Sequence, residues 1–300
     1  MVMKLTSIWG FSRRVVFQWI DNEPFQLAAA LSYYTLFSLT PLLVIAIGIA
    51  GVAFGHEIAQ RQILETIQSL IGAQGTEAVQ AMIRSVSSRP ETGKISTVIG
   101  LIALFFGAGG VVGQLQSALN KVWEVAPKRS AALWAFFRQR FISFAMVLAI
   151  GFLLLISLVV SAILTTLTEL AGEFVGATAV LVHALDLTVS FVFVTFLFGM
   201  IYKFVPDAQI RWRDVAIGAA LTSFLFAIGK SLIGLYLGTS GVTSMYGAAG
   251  SLITILLWVY YSALIFFLGA QFTRNYASEY GSGIIPSDHA ERTVIRMQSR

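Results

Sequence analysis

The sequence contains no cysteine, and only 12% of its 300 residues are charged. The absence of cysteine excludes disulfide bonds, thiolate metal sites, iron–sulfur clusters and cysteine nucleophiles. So few charged residues cannot cover the water-facing surface of a soluble protein of this length. Apolar residues are abundant instead: 57% of the chain is hydrophobic, and the mean hydropathy is +0.79. This composition is typical of an integral membrane protein.

Long uncharged runs locate the membrane spans, because about 20 apolar residues cross a bilayer as a helix. Charged residues or turn signals, such as Gly238-Thr239-Ser240-Gly241, separate these runs. The sequence therefore predicts an all-α polytopic membrane protein with six transmembrane helices, near residues 28–53, 95–119, 141–167, 177–203, 214–238 and 244–272.

Lysine and arginine are unevenly distributed between the two predicted sides of the membrane. Fifteen lie in the terminal segments and in the connections after the second and fourth spans, whereas four lie in the connection after the first span. Basic residues are retained on the cytoplasmic side, so both termini are predicted to lie in the cytoplasm. Tryptophans flank the same predicted helix ends, where an amphipathic ring is favoured: Trp9, Trp19, Trp123, Trp134 and Trp212.

The segments outside the spans have patterns of their own. Residues 1–24 place apolar side chains on one helical face beside Arg13 and Arg14, which predicts a cytoplasmic interfacial helix before the transmembrane domain at 25–273. Helical spacing on both sides of Gly72-Ala73-Gln74-Gly75 predicts amphipathic helices between the first two spans. Residues 274–300 are polar and are predicted to form a largely disordered cytoplasmic tail.

Several short segments, taken in order, resemble the YihY/BrkB family of bacterial inner-membrane proteins. They are the run Ala28-Ala29-Ala30-Leu31-Ser32-Tyr33-Tyr34, then Phe106-Gly107-Ala108-Gly109-Gly110, Leu119-Asn120-Lys121-Val122-Trp123, Tyr202-Lys203-Phe204-Val205-Pro206, Tyr246-Gly247-Ala248-Ala249-Gly250-Ser251 and Leu268-Gly269-Ala270. The resemblance covers about residues 10–275 and implies six transmembrane helices in the bacterial cytoplasmic (inner) membrane. It implies little about activity, although members have carried the label ribonuclease BN.

A nuclease would need clustered histidine or carboxylate ligands for a metal ion. The three histidines are widely separated, and Glu169 and Glu173 are explained as caps at helix ends. We therefore expect no enzymatic activity, no metal and no cofactor.

Two charged residues fall inside the predicted spans, where a charge is costly. Asp186 and Lys230 lie on consecutive antiparallel helices, each roughly 12–13 Å from the outer face at 1.5 Å per residue. Equal depth predicts an intramembrane ion pair. The pair could take part in coupling or substrate contact, or it could simply pin the two helices together, with Lys230 reaching outward.

A second polar set lies in the cytoplasmic half of the predicted bundle. Such groups avoid lipid and face the bundle interior. If they converge, they form a cavity open to the cytoplasm that would suit an anionic head group; interhelical hydrogen bonding alone would use the same residues. The predicted substrate-binding residues are Tyr34, Ser38, Gln114, Ser117, Asn120, Gln271 and Arg274.

Small residues and one proline could supply close helix packing or hinges. The predicted hinge or packing residues are Pro41, Gly107, Gly109, Gly110, Gly113, Gly247 and Gly250.

These features favour a transporter or flippase-like exporter of an amphipathic, anionic lipid or lipid-linked molecule. The alternative, from another class, is a membrane scaffold for envelope biogenesis that transports nothing. Membrane lipids are the expected partners, a homo-oligomer is left open, and nucleic acid is not expected.

Overall fold

A computed structural model describes residues 5–87, 110–128, 177–239, 246 and 249–293. The described part is mostly helical. The span predicted at 95–119 is described only from residue 110, and the span predicted at 141–167 lies outside the described residues.

Seven helical segments are described, in chain order. They are α1 (Leu5–Asp21), α2 (Pro24–Phe54), α3 (His56–Ser87), α4 (described over 110–123), α5 (Ala177–Phe204), α6 (Trp212–Thr239) and α7 (Gly250–Glu279). Within the described ranges, two stretches are long and apolar enough to cross a membrane: Trp212–Leu237 in α6 and Gly250–Glu279, which is α7.

Glycine and proline set several helix boundaries. Pro24 lies in the first turn of α2, where its missing N–H costs no hydrogen bond. The helix ends at Gly55, which has φ 87° and donates its N–H to the Gly51 carbonyl at 2.9 Å. Within α3, Gly72 has φ 76° and joins two helical segments across a kink. This break lies within the Gly72-Ala73-Gln74-Gly75 stretch, on both sides of which the sequence predicts amphipathic helices.

Helix α7 packs against α1, α2, α3 and α6. Helix α6 also packs against α5. A large apolar cluster surrounds Leu119, Tyr202 and Phe267, each fully buried. A second cluster joins α2, α3 and α7 around Ile47, Val79 and Ile255. The larger cluster lies beside the connections that follow α4 and α5.

Beside the larger cluster, the described residues form two short antiparallel sheets. Strand β1 (Val125–Pro127) pairs with β4 (Ala290–Arg292), and β2 (Ala208–Gln209) pairs with β3 (Ile285–Pro286). One segment of chain after α7 therefore supplies a partner strand to each of two interhelical connections.

This arrangement differs from the largely disordered tail that the sequence predicts for residues 274–300. Helix α7 continues to Glu279, and residues 285–292 contain two strands. Ile284 and Ala290 are buried, at 7% and 4% exposure. The polar composition does not indicate this order, because backbone hydrogen bonds to distant strands, rather than local hydrophobicity, hold the segment in place.

Candidate functional site

Asp207 is a buried carboxylate immediately before β2, with a side chain 4% exposed. Its carboxylate accepts hydrogen bonds from Asn120 Nδ2 at 2.8 Å and Gln116 Nε2 at 3.1 Å, and it lies 3.2 Å from His289 Nε2. The Asp207 N–H donates to Asn120 Oδ1 at 2.8 Å. A buried carboxylate requires such donors, and here they come from α4 and from the segment after α7.

Gln271 on α7 forms a second polar cluster and is fully buried. Its Oε1 accepts a hydrogen bond from Asn22 Nδ2 at 2.8 Å, and its Nε2 donates to Gln18 Oε1 at 3.1 Å and Asn275 Oδ1 at 3.0 Å. These bonds connect α7 to the end of α1. A bidentate ion pair between Arg14 and Glu279 joins the same two helices.

In the part of the chain that the structure describes, two cavities lie beside the strands. The larger cavity, of about 430 Å³, is lined from α4 and the adjoining strands by residues that include Gln116, Ser117, Asn120, Lys121 and Asp207. The smaller cavity, of about 270 Å³, is lined by residues that include Trp123, Glu124, Arg274, Arg292 and Thr293. The two cavities share Val125 and Thr293 in their linings.

The predicted substrate-binding residues are divided among several places rather than gathered around one cavity. Ser117 and Asn120 line the larger cavity, and Arg274 lines the smaller one, where its Nη2 lies 2.6 Å from Glu124 Oε1. Gln271 is enclosed in the cluster with α1. The others lie on α2 and α4: Tyr34 is 42% exposed, Ser38 is 1% exposed, and Gln114 is half-buried.

The described residues do not test the predicted Asp186–Lys230 ion pair. Asp186 belongs to α5, but its side chain lies outside the described part of the structure, whereas Lys230 is half-buried on α6.

The predicted hinge and packing residues have mixed outcomes. Helix α2 runs through Pro41, and a Cβ on Gly110 would meet the Tyr34 ring at 3.1 Å. Gly113 lines the larger cavity, and Gly250 is buried at the start of α7. Three lie outside the described residues: Gly107, Gly109 and Gly247.

Very close helix packing occurs at two other glycines, which the sequence analysis did not select. A Cβ on Gly218 of α6 would lie 1.7 Å from Thr273 Oγ1, and a Cβ on Gly269 of α7 would lie 1.9 Å from Thr222 Oγ1. Each threonine hydroxyl donates to the glycine carbonyl four residues earlier in its own helix, at 2.7 Å. The signal in the sequence is therefore a glycine followed four residues later by threonine, which occurs at Gly218 on α6 and at Gly250 and Gly269 on α7.

Sequence reasoning also missed Asp207, Glu124 and His289. Asp207 follows Val205-Pro206 and looks like an ordinary loop residue, and His289 lies in the segment predicted to be disordered. Glu124 has φ 54°, an unusual backbone conformation for a residue other than glycine. Their roles depend on partners that are distant in the sequence.

Comparisons with known proteins give consistent results. A family model described as virulence factor BrkB matches residues 16–292. A UPF0761 membrane protein of Pseudomonas aeruginosa is 27% identical over 274 residues, which cover 89% of this chain and 63% of that protein. Related UPF0761 membrane proteins of Stenotrophomonas maltophilia and Vibrio atlanticus are 26% and 28% identical, with 90% and 88% of this chain and 61% and 81% of those proteins covered.

The chain spans about three fifths of the length of the Pseudomonas and Stenotrophomonas relatives. No solved structure matches it.

Proposed function

The chain belongs to the BrkB family of membrane proteins, and from that premise we propose that it crosses the bacterial cytoplasmic membrane six times and moves an amphipathic, anionic lipid or lipid-linked molecule. Both termini and the two cavities then face the cytoplasm. The head group enters the larger cavity, while the acyl chains stay in the bilayer.

The larger cavity is the observation that carries this proposal. Its volume of about 430 Å³ falls within the range of small-molecule sites, about 300–1,000 Å³. Its lining combines the Lys121 ammonium with the Ser117 hydroxyl and the amides of Gln116 and Asn120. The Asp207 carboxylate lines the same cavity and already accepts hydrogen bonds from Gln116 and Asn120. The Lys121 ammonium and the Ser117 hydroxyl are therefore the groups that can attract an anionic head group and donate hydrogen bonds to it.

Lys121 can exchange its partner at little cost. Its Nζ lies 2.6 Å from Glu23 Oε2, and the two side chains are 38% and 53% exposed. An exposed ion pair of this kind contributes about 0–1 kcal/mol. An anionic head group that enters the larger cavity can therefore replace Glu23 beside Lys121.

The alternative is a membrane scaffold that transports nothing, and the Gln271 cluster favours it. Gln271 is a predicted substrate-binding residue, but its side-chain amide is already hydrogen-bonded to Gln18, Asn22 and Asn275. Internal bonding of this type holds helices together without requiring a ligand.

A leaflet-transfer assay on reconstituted vesicles separates the two functions. Fluorescent phosphatidylglycerol is placed in one leaflet, and its appearance in the other is followed with and without an imposed pH gradient. We expect protein-dependent transfer that Ser117→Leu slows by about tenfold, equivalent to roughly 1.4 kcal/mol, because the larger side chain fills part of the larger cavity.

Ser231→Leu is the matched control, since Ser231 is exposed on α6, away from both cavities. This variant should transfer lipid at the wild-type rate. Absence of protein-dependent transfer across several anionic lipid classes would refute transport and leave the scaffold as the better account.

A further inference from the structure

The smaller cavity has the chemistry of an anion site that does not depend on lipid transport. Its lining comes from the end of α4, from α7 and from the segment that ends in β4. The volume of about 270 Å³ is close to the lower limit of small-molecule sites, about 300 Å³. Three separate parts of the chain therefore enclose a space that could hold one small polar group.

The lining is rich in hydrogen-bond donors. Arg274 and Arg292 supply two guanidinium groups, and Ser278 and Thr293 supply hydroxyls.

The charges in the lining also favour an anion. Two guanidinium groups and the single carboxylate of Glu124 give a formal charge of +1. The Arg274 side chain is only 16% exposed, so its charge is poorly solvated and needs an anionic partner. Arg292 donates to the Ile284 carbonyl at 3.0 Å, and a guanidinium carries five N–H donors, which leaves it able to bind more.

Glu124 occupies the position that an external anion would take beside Arg274. Its carboxylate lies 2.6 Å from Arg274 Nη2, but its side chain is 40% exposed and can turn outward into water. The Glu124 backbone is held in the left-handed region, at φ 54°. Such conformations are costly for residues other than glycine and occur often at ligand-binding sites.

We propose that the smaller cavity binds a phosphate group between Arg274 and Arg292, with the hydroxyls of Ser278 and Thr293 as further donors and with Glu124 displaced from Arg274. Guanidinium groups bind phosphate oxygens through paired hydrogen bonds. The phosphate can belong to a lipid head group or to a soluble compound, since the binding chemistry is the same.

Calorimetric titration of the full chain in detergent tests the proposal, with inorganic phosphate and glycerol phosphate as soluble probes. Nanodiscs that contain phosphatidic acid test the lipid source. We expect saturable binding that Arg292→Gln weakens by about tenfold, because charge-assisted hydrogen bonds to phosphate are lost. Binding of a soluble probe identifies a soluble source, and binding in nanodiscs alone identifies a lipid head group; either supports the site.

Glu124→Gln is the sharper variant, because the proposal predicts a gain. Removing the competing carboxylate should tighten phosphate binding several-fold. If the Glu124–Arg274 ion pair is purely structural, neither the wild-type protein nor Glu124→Gln should bind phosphate. Arg213→Gln, which changes an exposed arginine outside the smaller cavity, should leave affinity within about twofold.

The proposal is overturned if no probe binds, if Arg213→Gln weakens binding as much as Arg292→Gln does, or if Glu124→Gln fails to tighten it. Thermal unfolding of each variant shows whether a loss of binding reflects a loss of fold. Because binding is measured at equilibrium without a leaflet assay, its failure and a failure of transport are distinguishable.

Discussion

Gly218 and Gly269 determine how closely α6 and α7 approach each other. Each glycine faces a threonine of the opposite helix, and each threonine keeps its hydroxyl bonded within its own helix. The contact therefore combines close backbone approach with satisfied buried hydroxyls, as is common between membrane helices.

Gly218→Ala should destabilise the protein by about 1–3 kcal/mol, because the added methyl group would overlap Thr273 Oγ1 and push the helices apart. The measurement is thermal or denaturant unfolding of the purified protein in detergent. Gly234→Ala on the same helix is the control, since a Cβ there meets nothing within 4 Å among the described residues. That variant should be unchanged or slightly more stable, because alanine has the higher helix propensity. Equal losses in both variants would contradict the packing role.

At the level of residues, the predicted inward-facing polar side chains differ in burial: Tyr34 and Ser117 are exposed, whereas others are enclosed. Asn120 and Gln271 are buried, as expected for polar groups that avoid lipid. Their partners, Asp207 and Asn22, come from distant parts of the chain, and one sequence has no signal for contacts of that kind. For this reason the expected single cavity is divided in the structure into two cavities and an enclosed cluster.

At the level of elements, the segment after α7 joins two interhelical connections. Beyond the two strand pairs, Lys128 N–H donates to the His289 carbonyl and Thr293 N–H donates to the Glu124 carbonyl, both at 2.9 Å. Asp214 at the start of α6 accepts hydrogen bonds from the Ser282 N–H and hydroxyl at 3.2 Å. These contacts fix the residues that line the smaller cavity.

Ala290→Asp should release this segment, since it places a charge at a position that is 4% exposed. Hydrogen exchange measured by mass spectrometry should show the amides of Lys128 and Thr293 protected in the wild-type protein and unprotected in the variant. Glu291→Asp places the same side chain at the exposed neighbouring position and should keep both amides protected. Fast exchange in the wild-type protein would contradict the strand pairing.

The helices were easier to predict than the strands for a physical reason. The stretches predicted at 28–53, 177–203 and 214–238 correspond to helices at Pro24–Phe54, Ala177–Phe204 and Trp212–Thr239. A long apolar run forms its hydrogen bonds locally, so its own sequence is enough to indicate a helix. Strands of two or three residues depend wholly on a distant partner.

At the level of the whole molecule, the described helices and the family place the chain in a membrane. The number of crossings and the side on which the termini lie are predictions from hydropathy and charge. In the predicted topology, the kinked helix α3 and the strand segment after α7 lie on opposite sides of the membrane.

Single introduced cysteines test this topology, because the native chain has none and gives no background labelling. Gln68→Cys in α3 and Glu291→Cys in β4 replace exposed residues. In intact cells a membrane-impermeant maleimide should label Gln68→Cys, and it should reach Glu291→Cys only after permeabilisation. Labelling of both from outside, or of neither, would require an even number of crossings between them and would contradict the six-span topology.

The strand pairing also constrains the order in which the molecule can be completed. During synthesis β1 and β2 leave the ribosome long before β3 and β4, so their edges stay unpaired while the later helices are being inserted. Exposed strand edges are sites of wrong association, and pairing between distant segments is slow to form. The two strand pairs at this end of the bundle therefore form late in biogenesis, after the helices have been inserted. At that point one short segment pairs with two connections that were synthesised much earlier.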